Sequence, residues 1–300
     1  MSGFLREFFV MTKPRVWVFL LLTGIAGEVF SLSVQRRLDI LGFIFVAIYI
    51  TLGLMGAESV SNYFDLPIDK IMKRTMNRPL PSGRLKPQVA LYGGLILIIL
   101  MLIMALYQSL LSFLFMATGV FDYTIIYAFL TKRKTYWNII LGAYSGGAPL
   151  LAGFYAFSHT FNAVAILLFA AILIWTPLHI WTLSIRYMDD YSRASVPMLP
   201  VVFGKRKTMM ILLPVSIMVT IVSILTGLEM MTYFNLGLGI AVLTVFAALG
   251  IYILLSYLRA FLSTEKRIMK LFASTNAFIG SFFIAVAIFS LLIPFFGVIK

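Results

Sequence analysis

Polar residues along this chain are gathered into short intervals, and nine apolar stretches fill the space between them. The stretches fall near residues 15–34, 40–64, 88–106, 109–130, 138–158, 160–187, 208–228, 234–258 and 272–298. Each is close to the ~20 residues that a helix needs to cross a bilayer. The pattern therefore predicts an all-α integral membrane protein with about nine transmembrane helices. Connectors near "YQS" at 107 and "SHT" at 158 are short, whereas those near 65–87 and 186–207 are long and charged. No soluble domain or long linker interrupts the series, so residues 1–300 read as a single polytopic membrane domain.

Composition agrees, with 61% hydrophobic and only 12% charged residues in 300, which excludes a soluble domain of this size. The absence of cysteine excludes disulfides and thiol nucleophiles. The opening "MSGFLREFFVMTKPR" leads into the first apolar run without a small-residue cleavage site, and that run is expected to be a span rather than a removed signal peptide. The net charge of +13 is unevenly placed: of the 24 Lys and Arg, all but Arg36, Arg37 and Lys300 fall on one side of the predicted membrane. This positive-inside bias implies a multi-pass protein of the cell membrane with a cytoplasmic N-terminus and an external C-terminus. The charge thus reflects topology, and no nucleic-acid partner is expected.

The segment "GAESVSNYFDLPIDKIMKRTMNRPLPSG", residues 56 to 83, is where an apolar span turns polar. Glu58, Asn62, Asp65 and Asp69 are spaced so that they stack on one face of a continuous helix. Pro67 removes a backbone hydrogen bond and disfavours helix at Leu66, so a kink or unwinding is expected between the two aspartates. Carboxylates at a membrane boundary suit a hard cation; magnesium uses one or two and completes its shell with water and phosphate oxygens. Lys70, Lys73, Arg74, Arg78 and Arg84 follow, with charge matched to a polyphosphate. Topology explains Lys70, Lys73 and Arg84 equally well. It does not explain Asn62, Asp65 and Asp69 together, because polar groups at the end of a span are costly unless used.

A second cluster lies in "WTPLHIWTLSIRYMDDYSRASVPMLP", where His179, Arg186 and Asp190 would share a helical face beside Asp189. A plain Arg186–Asp190 ion pair and a histidine bonded to a neighbouring helix would also account for it. Imidazole within a span is, however, a metal ligand and a proton shuttle. In "YAFLTKRKTYWN", Tyr127 ends a span, and Lys132 and Arg133 are placed to close over a pyrophosphate, while Lys134 reads as topological. Glu28 and Asp122 lie within spans, where each either pairs across helices or lines a cavity.

Two acidic clusters and basic connectors on one membrane face suit chemistry on a diphosphate whose tail lies in the bilayer. Through "TKP" at 12, "NYFDLPID", "KRTMNRPLPSGR", "YAFLTKRKTYWN" and "GGAPLLAG", nearly the whole chain resembles the UbiA-type intramembrane prenyltransferases. The histidine of "PLHIW" and the run "DDYSRASVPMLPVVFG" are similar to the heme-modifying branch of that family. The resemblance implies helices bundled around a central cavity open toward lipid, capped by the polar motifs on the cytoplasmic side. It implies transfer of a farnesyl group from farnesyl diphosphate to a vinyl group of heme B with addition of water, giving heme O and pyrophosphate.

Carried over by position, the resemblance implies that Asn62, Asp65 and Asp69 hold Mg2+, with Asp189 and Asp190 as the second motif and Asp190 as a metal ligand. Arg74, Arg78, Lys132, Arg133 and Tyr127 would bind the diphosphate, and His179, with Arg186, would serve the heme as iron ligand or propionate contact. Leu66 and Pro67 replace the Arg-Asp usual inside the first motif, so its middle carboxylate is missing. The implied partners are farnesyl diphosphate, heme B, membrane lipid and a downstream heme-modifying enzyme or oxidase assembly factor. Rival readings are a superfamily member acting on a quinone precursor or glycerol-phosphate lipid, a secondary transporter and a non-catalytic heme-binding subunit. A transporter should carry its charges near the bilayer midplane, whereas here they gather at one face.

Overall fold

The structure, a computed structural model, describes residues 3–262 and 265–298; Lys300, counted above among the outer basic residues, lies outside them. Twelve helices follow in order: α1 Gly3–Met11, α2 Pro14–Val34, α3 Ile40–Asp69, α4 Pro87–Gln108, α5 Leu110–Phe121, α6 Asn138–Leu141, α7 Tyr144–Tyr155, α8 Ala163–Arg186, α9 Met188–Arg193, α10 Leu199–Met231, α11 Leu236–Phe261 and α12 Glu265–Phe296. α5 continues without a break into a wider π-helix over Asp122–Thr131. Eight spans among the described residues are long and apolar enough to cross a membrane, counting α5 with its π-helical extension as one. Large apolar side chains such as Ile96, Ile103, Ile240 and Leu291 face outward around the bundle, as lipid contact requires.

The remaining expected span, 138–158, is a broken one. α6 and α7 are separated at Gly142–Ala143, and the 12 residues of α7 reach only about 18 Å at 1.5 Å per residue, short of a ~30 Å hydrocarbon core. Broken backbone is tolerated at membrane depth only where protein covers it, and residues 147–158 are buried throughout. α7 sits against α2, α5 and α8. Its approach to α2 is backbone to backbone: a Cβ on Gly27 would collide with the Leu150 carbonyl, and one on Gly153 with the Gly24 carbonyl and the Glu28 Cγ. Small residues at a helix crossing permit this.

The two ends of the bundle differ. At one end Gln35 donates to the Phe157 carbonyl (2.9 Å), Arg36 to the Gly297 carbonyl (3.0 Å) and Asn162 to the Tyr233 hydroxyl (3.0 Å). At the other, Arg84 pairs with Glu7 of α1 at 2.8 Å, and the Asn62 amide donates to the Met11 carbonyl at 2.7 Å. That second end gathers the long connectors.

Of the kink or unwinding expected at Pro67, the unwinding does not occur. α3 is helical from Ile40 through Asp69, and the Lys70 N–H still reaches the Leu66 carbonyl at 3.2 Å. Proline removes one bond of the ladder, while Asp65 and Asp69 on either side are each fixed by a basic partner. At 30 residues, or about 45 Å, α3 is also longer than the bilayer core, so its last turns project into the polar end. A true break occurs instead inside α10, at Gly204, whose φ of 74° and ψ of 165° only glycine adopts readily.

The α2–α7 crossing predicts that Gly153→Val will lower stability by about 1–3 kcal/mol, the range for overpacking a close contact. A thermal midpoint in detergent unchanged from the native protein would contradict this.

Candidate active site

Asp65, on the last turns of α3, is buried and receives the Lys132 ammonium at 2.6 Å from the connector after α5. Burial disfavours the charged ammonium, but the Asp65 carboxylate and the Tyr127 phenol more than offset it and hold the Lys132 pKa above the usual lysine value. Lys132 also sits over the Tyr127 ring, 5.2 Å from its centroid. The other Asp65 oxygen, Oδ1, is buried without a hydrogen-bond partner.

One turn further, Asp69 accepts from Arg78 at 3.1 Å, which folds the "RTMNRPLPSG" connector back onto the helix end. Thr75 Oγ1 donates to the Asp69 carbonyl at 3.1 Å and strengthens the same fold-back. Arg74 bridges the two motifs. Its backbone N–H donates to Asp190 Oδ2 at 3.4 Å, its guanidinium reaches the Tyr191 hydroxyl at 3.4 Å, and it lies 4.7 Å over the Tyr187 ring. Arg133 donates to the Phe64 carbonyl at 3.0 Å. The structure thus gathers Asn62, Asp65, Asp69, Arg74, Arg78, Lys132, Arg133 and Asp190 at one end of the bundle.

The second cluster is arranged differently from the sequence expectation. α8 ends at Arg186, Tyr187 leaves helical geometry, and α9 starts afresh at Met188, so His179, Arg186 and Asp190 do not share a helical face. Asp190 pairs with Arg193 rather than Arg186, which is exposed like Asp189. Asp122 reaches across to the Ser145 N–H at 2.9 Å and caps the start of α7. Glu28 neither pairs nor lines the cavity: it is fully buried, with both carboxylate oxygens unpartnered.

Beneath the polar end lies a cavity of about 740 Å³. Its wall is largely apolar and aromatic, with Phe19, Leu54, Met116, Trp175, Phe272 and Phe283 among its residues. Tyr123 and Tyr127, stacked at 5.7 Å on the π-helical stretch, line it, as does Glu58. π-helical segments are frequent at functional sites.

His179 forms part of the same wall, stacked between Trp175 (4.4 Å) and Phe272 (4.7 Å). Thr275 gives its only hydroxyl proton to the Phe272 carbonyl at 2.7 Å, so at 2.9 Å it accepts from His179 Nδ1–H. This fixes the tautomer, leaving Nε2 with a free lone pair, as a metal-binding imidazole needs.

Sequence reasoning missed the partners more than the players. Lys13, in left-handed geometry at φ 55°, reaches Glu58 at 2.9 Å, and Tyr123 donates to the same carboxylate at 2.9 Å. Glu58 was legible from its register with Asn62 and Asp65. Thr275, 96 residues from His179, left no local signal.

A family model described as the UbiA prenyltransferase family matches residues 20–287. The chain belongs to the UbiA prenyltransferase family. A protoheme IX farnesyltransferase of Thermoplasma acidophilum is 36% identical over 289 residues, covering 95% of this chain and 98% of that protein. A second, from Thermoplasma volcanium, is 47% identical over 195 residues, covering 65% and 68%. Among solved structures, a UbiA homolog from Archaeoglobus fulgidus bound to DMAPP and Mg2+ superposes with a TM-score of 0.70 at 13% identity, over 94% of this chain and 99% of that one. A digeranylgeranylglyceryl phosphate synthase structure gives a TM-score of 0.77 at 19% identity, over 96% and 98%. The fold of this UbiA family member is therefore that of the solved members.

The donor set fits a hard divalent cation in part. Asp65 Oδ1 is a buried, unsatisfied carboxylate oxygen, and Asn62, its amide nitrogen spent on Met11, has its carbonyl oxygen left to offer. Among the described residues no three carboxylates or histidines converge on one point, so an ion here would rely on ligand oxygens and water to complete its shell.

Because the Lys132 pKa is raised on folding, the stability from its pairing with Asp65 is fully present below the unfolded value of ~10.4 and is lost only as pH rises through the still higher folded value. The difference in thermal midpoint between the native protein and an Asp65→Asn/Lys132→Met double variant should therefore stay flat from about pH 6 to 9. A difference that shrinks already by about pH 8 would refute the pairing.

Proposed function

We propose that this UbiA family member is a magnesium-dependent prenyltransferase that moves a farnesyl group from farnesyl diphosphate to a vinyl group of heme B, with addition of water. The products are heme O and pyrophosphate. The basic end of the bundle, with the N-terminus, faces the cytoplasm, and the C-terminus is external. The donor half of this reading rests on the charged end of the bundle standing over a greasy cavity. The acceptor half rests on one observation above all: His179, held through Nδ1 by Thr275 with Nε2 left free, in the wall of that same cavity. The relatives called protoheme IX farnesyltransferase support it.

In this reading Asn62, Asp65, Asp69 and Asp190 hold Mg2+ against the diphosphate, with Asp189 as the outer member of the second motif. The metal, when bound, acts as a Lewis acid for charge on the departing pyrophosphate. Arg74, Arg78, Lys132 and Arg133 contribute fixed positive charge where that negative charge develops. Tyr127 supports Lys132 from below, through the ring over which the ammonium sits. The apolar and aromatic wall excludes water from the allylic cation. His179 takes the heme iron and Arg186 a propionate. No protein nucleophile is required.

Purified protein incubated with heme B, farnesyl diphosphate and Mg2+ should yield hydroxyethylfarnesyl heme, detected by mass spectrometry. Asp65→Asn should lower the rate by about 10²-fold or more, the scale for losing one electrostatic catalytic group, and EDTA should abolish product. Prenylation of a quinone precursor with none on heme would leave the family intact and refute the acceptor.

A further inference from the structure

Among the described residues Glu58 is the one acidic side chain lining the cavity, and the donor machinery described above does not use it. It stands one turn deeper on α3 than Asn62 and about 10 Å below Asp65 along the helix axis. Its neighbours on the same stretch of wall, Gly53, Leu54 and Ala57, are small or apolar. The carboxylate is buried: Lys13 Nζ stands 2.9 Å from Oε2 as an ion pair outside hydrogen-bond geometry, and the Tyr123 hydroxyl donates to Oε1 at 2.9 Å.

An ion pair kept only for stability gains little in such a place, because an apolar pair of similar volume does as well or better. Its position fits a different need. On the proposed reading the diphosphate would lie at the mouth by Asp65 and Asp69, which would put the first carbon of the prenyl tail, and the acceptor carbon that bonds to it, just below, near the depth of Glu58. The proposed reaction needs a proton acceptor at that depth and nowhere else.

Resting on the heme reading of this site, we infer that Glu58 is the general base for the water that completes the product. The outer vinyl carbon bonds to the farnesyl carbon as the carbon–oxygen bond to pyrophosphate breaks, and that electron pair leaves with pyrophosphate. The inner vinyl carbon, next to the pyrrole ring, is left cationic. A water oxygen bonds to it and passes its proton to Glu58, giving the hydroxyl of the product. Lys13 and Tyr123 act as positioning residues that aim the carboxylate into the cavity. Without the base, the cation discharges by losing a proton from the neighbouring carbon, and the adduct carries a double bond in place of the hydroxyl.

The test is a product ratio. Native protein and Glu58→Gln, each given heme B, farnesyl diphosphate and Mg2+ in oxygen-labelled water, are compared by mass spectrometry. In Glu58→Gln the labelled hydroxylated heme should fall by about 10²-fold, within the range for general-base catalysis. An adduct lighter by one water should take its place. The heme absorption spectrum reports whether the variant still binds heme. If Glu58→Gln does not fold, Glu58→Asp draws the carboxylate back by one methylene and should give both adducts together. Unchanged hydroxylation in whichever variant folds overturns the assignment of Glu58. Failure of the native protein to farnesylate heme at all is a separate result, and overturns the acceptor reading instead.

Discussion

The contact on which the candidate site depends is the buried one between Asp65 and Lys132. A lone charge at the edge of an apolar bundle is costly in proportion to its burial, and each of these two is tolerated because the other is present. The pairing ties the end of α3 to the connector after the π-helical stretch, which sets where Tyr127 and Tyr123 stand in the cavity wall. It also bears on why α3 stays helical through Pro67: Asp65 is held on one side of the proline and Asp69 by Arg78 on the other.

The cavity itself follows from a second constraint, the short and broken α7. The break at Gly142–Ala143 places Gly142, Ser145, Gly146 and Pro149 on the cavity boundary, and Asp122 satisfies the backbone that the break exposes by capping Ser145. The glycines of α2 and α7 then let the two backbones touch on the far side, so that the short helix α7 is braced. Thus Asp122, expected to pair across helices or to line a cavity, bonds across to α7, whereas Glu28 has no hydrogen-bond partner among the described residues.

Most of the architecture was legible in the sequence because hydrophobic length is a local property. Eight of nine expected spans are the long helices observed, and the charge asymmetry marked which ends would gather. The ninth, 138–158, is broken into α6 and α7, which its apolar run did not reveal: its residues are apolar because protein surrounds them, and an apolar run says nothing of whether lipid or protein does so. At the site, residue types and register pointed to Asn62, Asp65, Asp69, Asp190 and His179. Partners were another matter. Helical spacing paired Asp190 with Arg186, yet the turn at Tyr187 gave it Arg193 instead. Nothing near His179 indicated that Thr275, on a helix far along the chain, would fix its tautomer.

Three buried carboxylates of this end are paired in the structure: Asp65 with Lys132, Asp69 with Arg78 and Asp190 with Arg193. On the proposed reading this is a stored arrangement rather than an obstacle. A diphosphate brings negative oxygens and, with its magnesium, positive charge in a compact unit. Arg78, Lys132 and Arg193 can turn from carboxylate to phosphate while the freed carboxylates turn to the cation, so no charge is left unpaired at any stage. Such an exchange confines the large desolvation cost to folding, where the resting pairs already meet it, and leaves binding to trade one set of charge-assisted hydrogen bonds for another. It also accounts for the lack of a converged ligand cluster among the described residues: acidic groups brought together with neither cation nor basic partner would repel, so the resting chain spreads them among its own arginines and lysine.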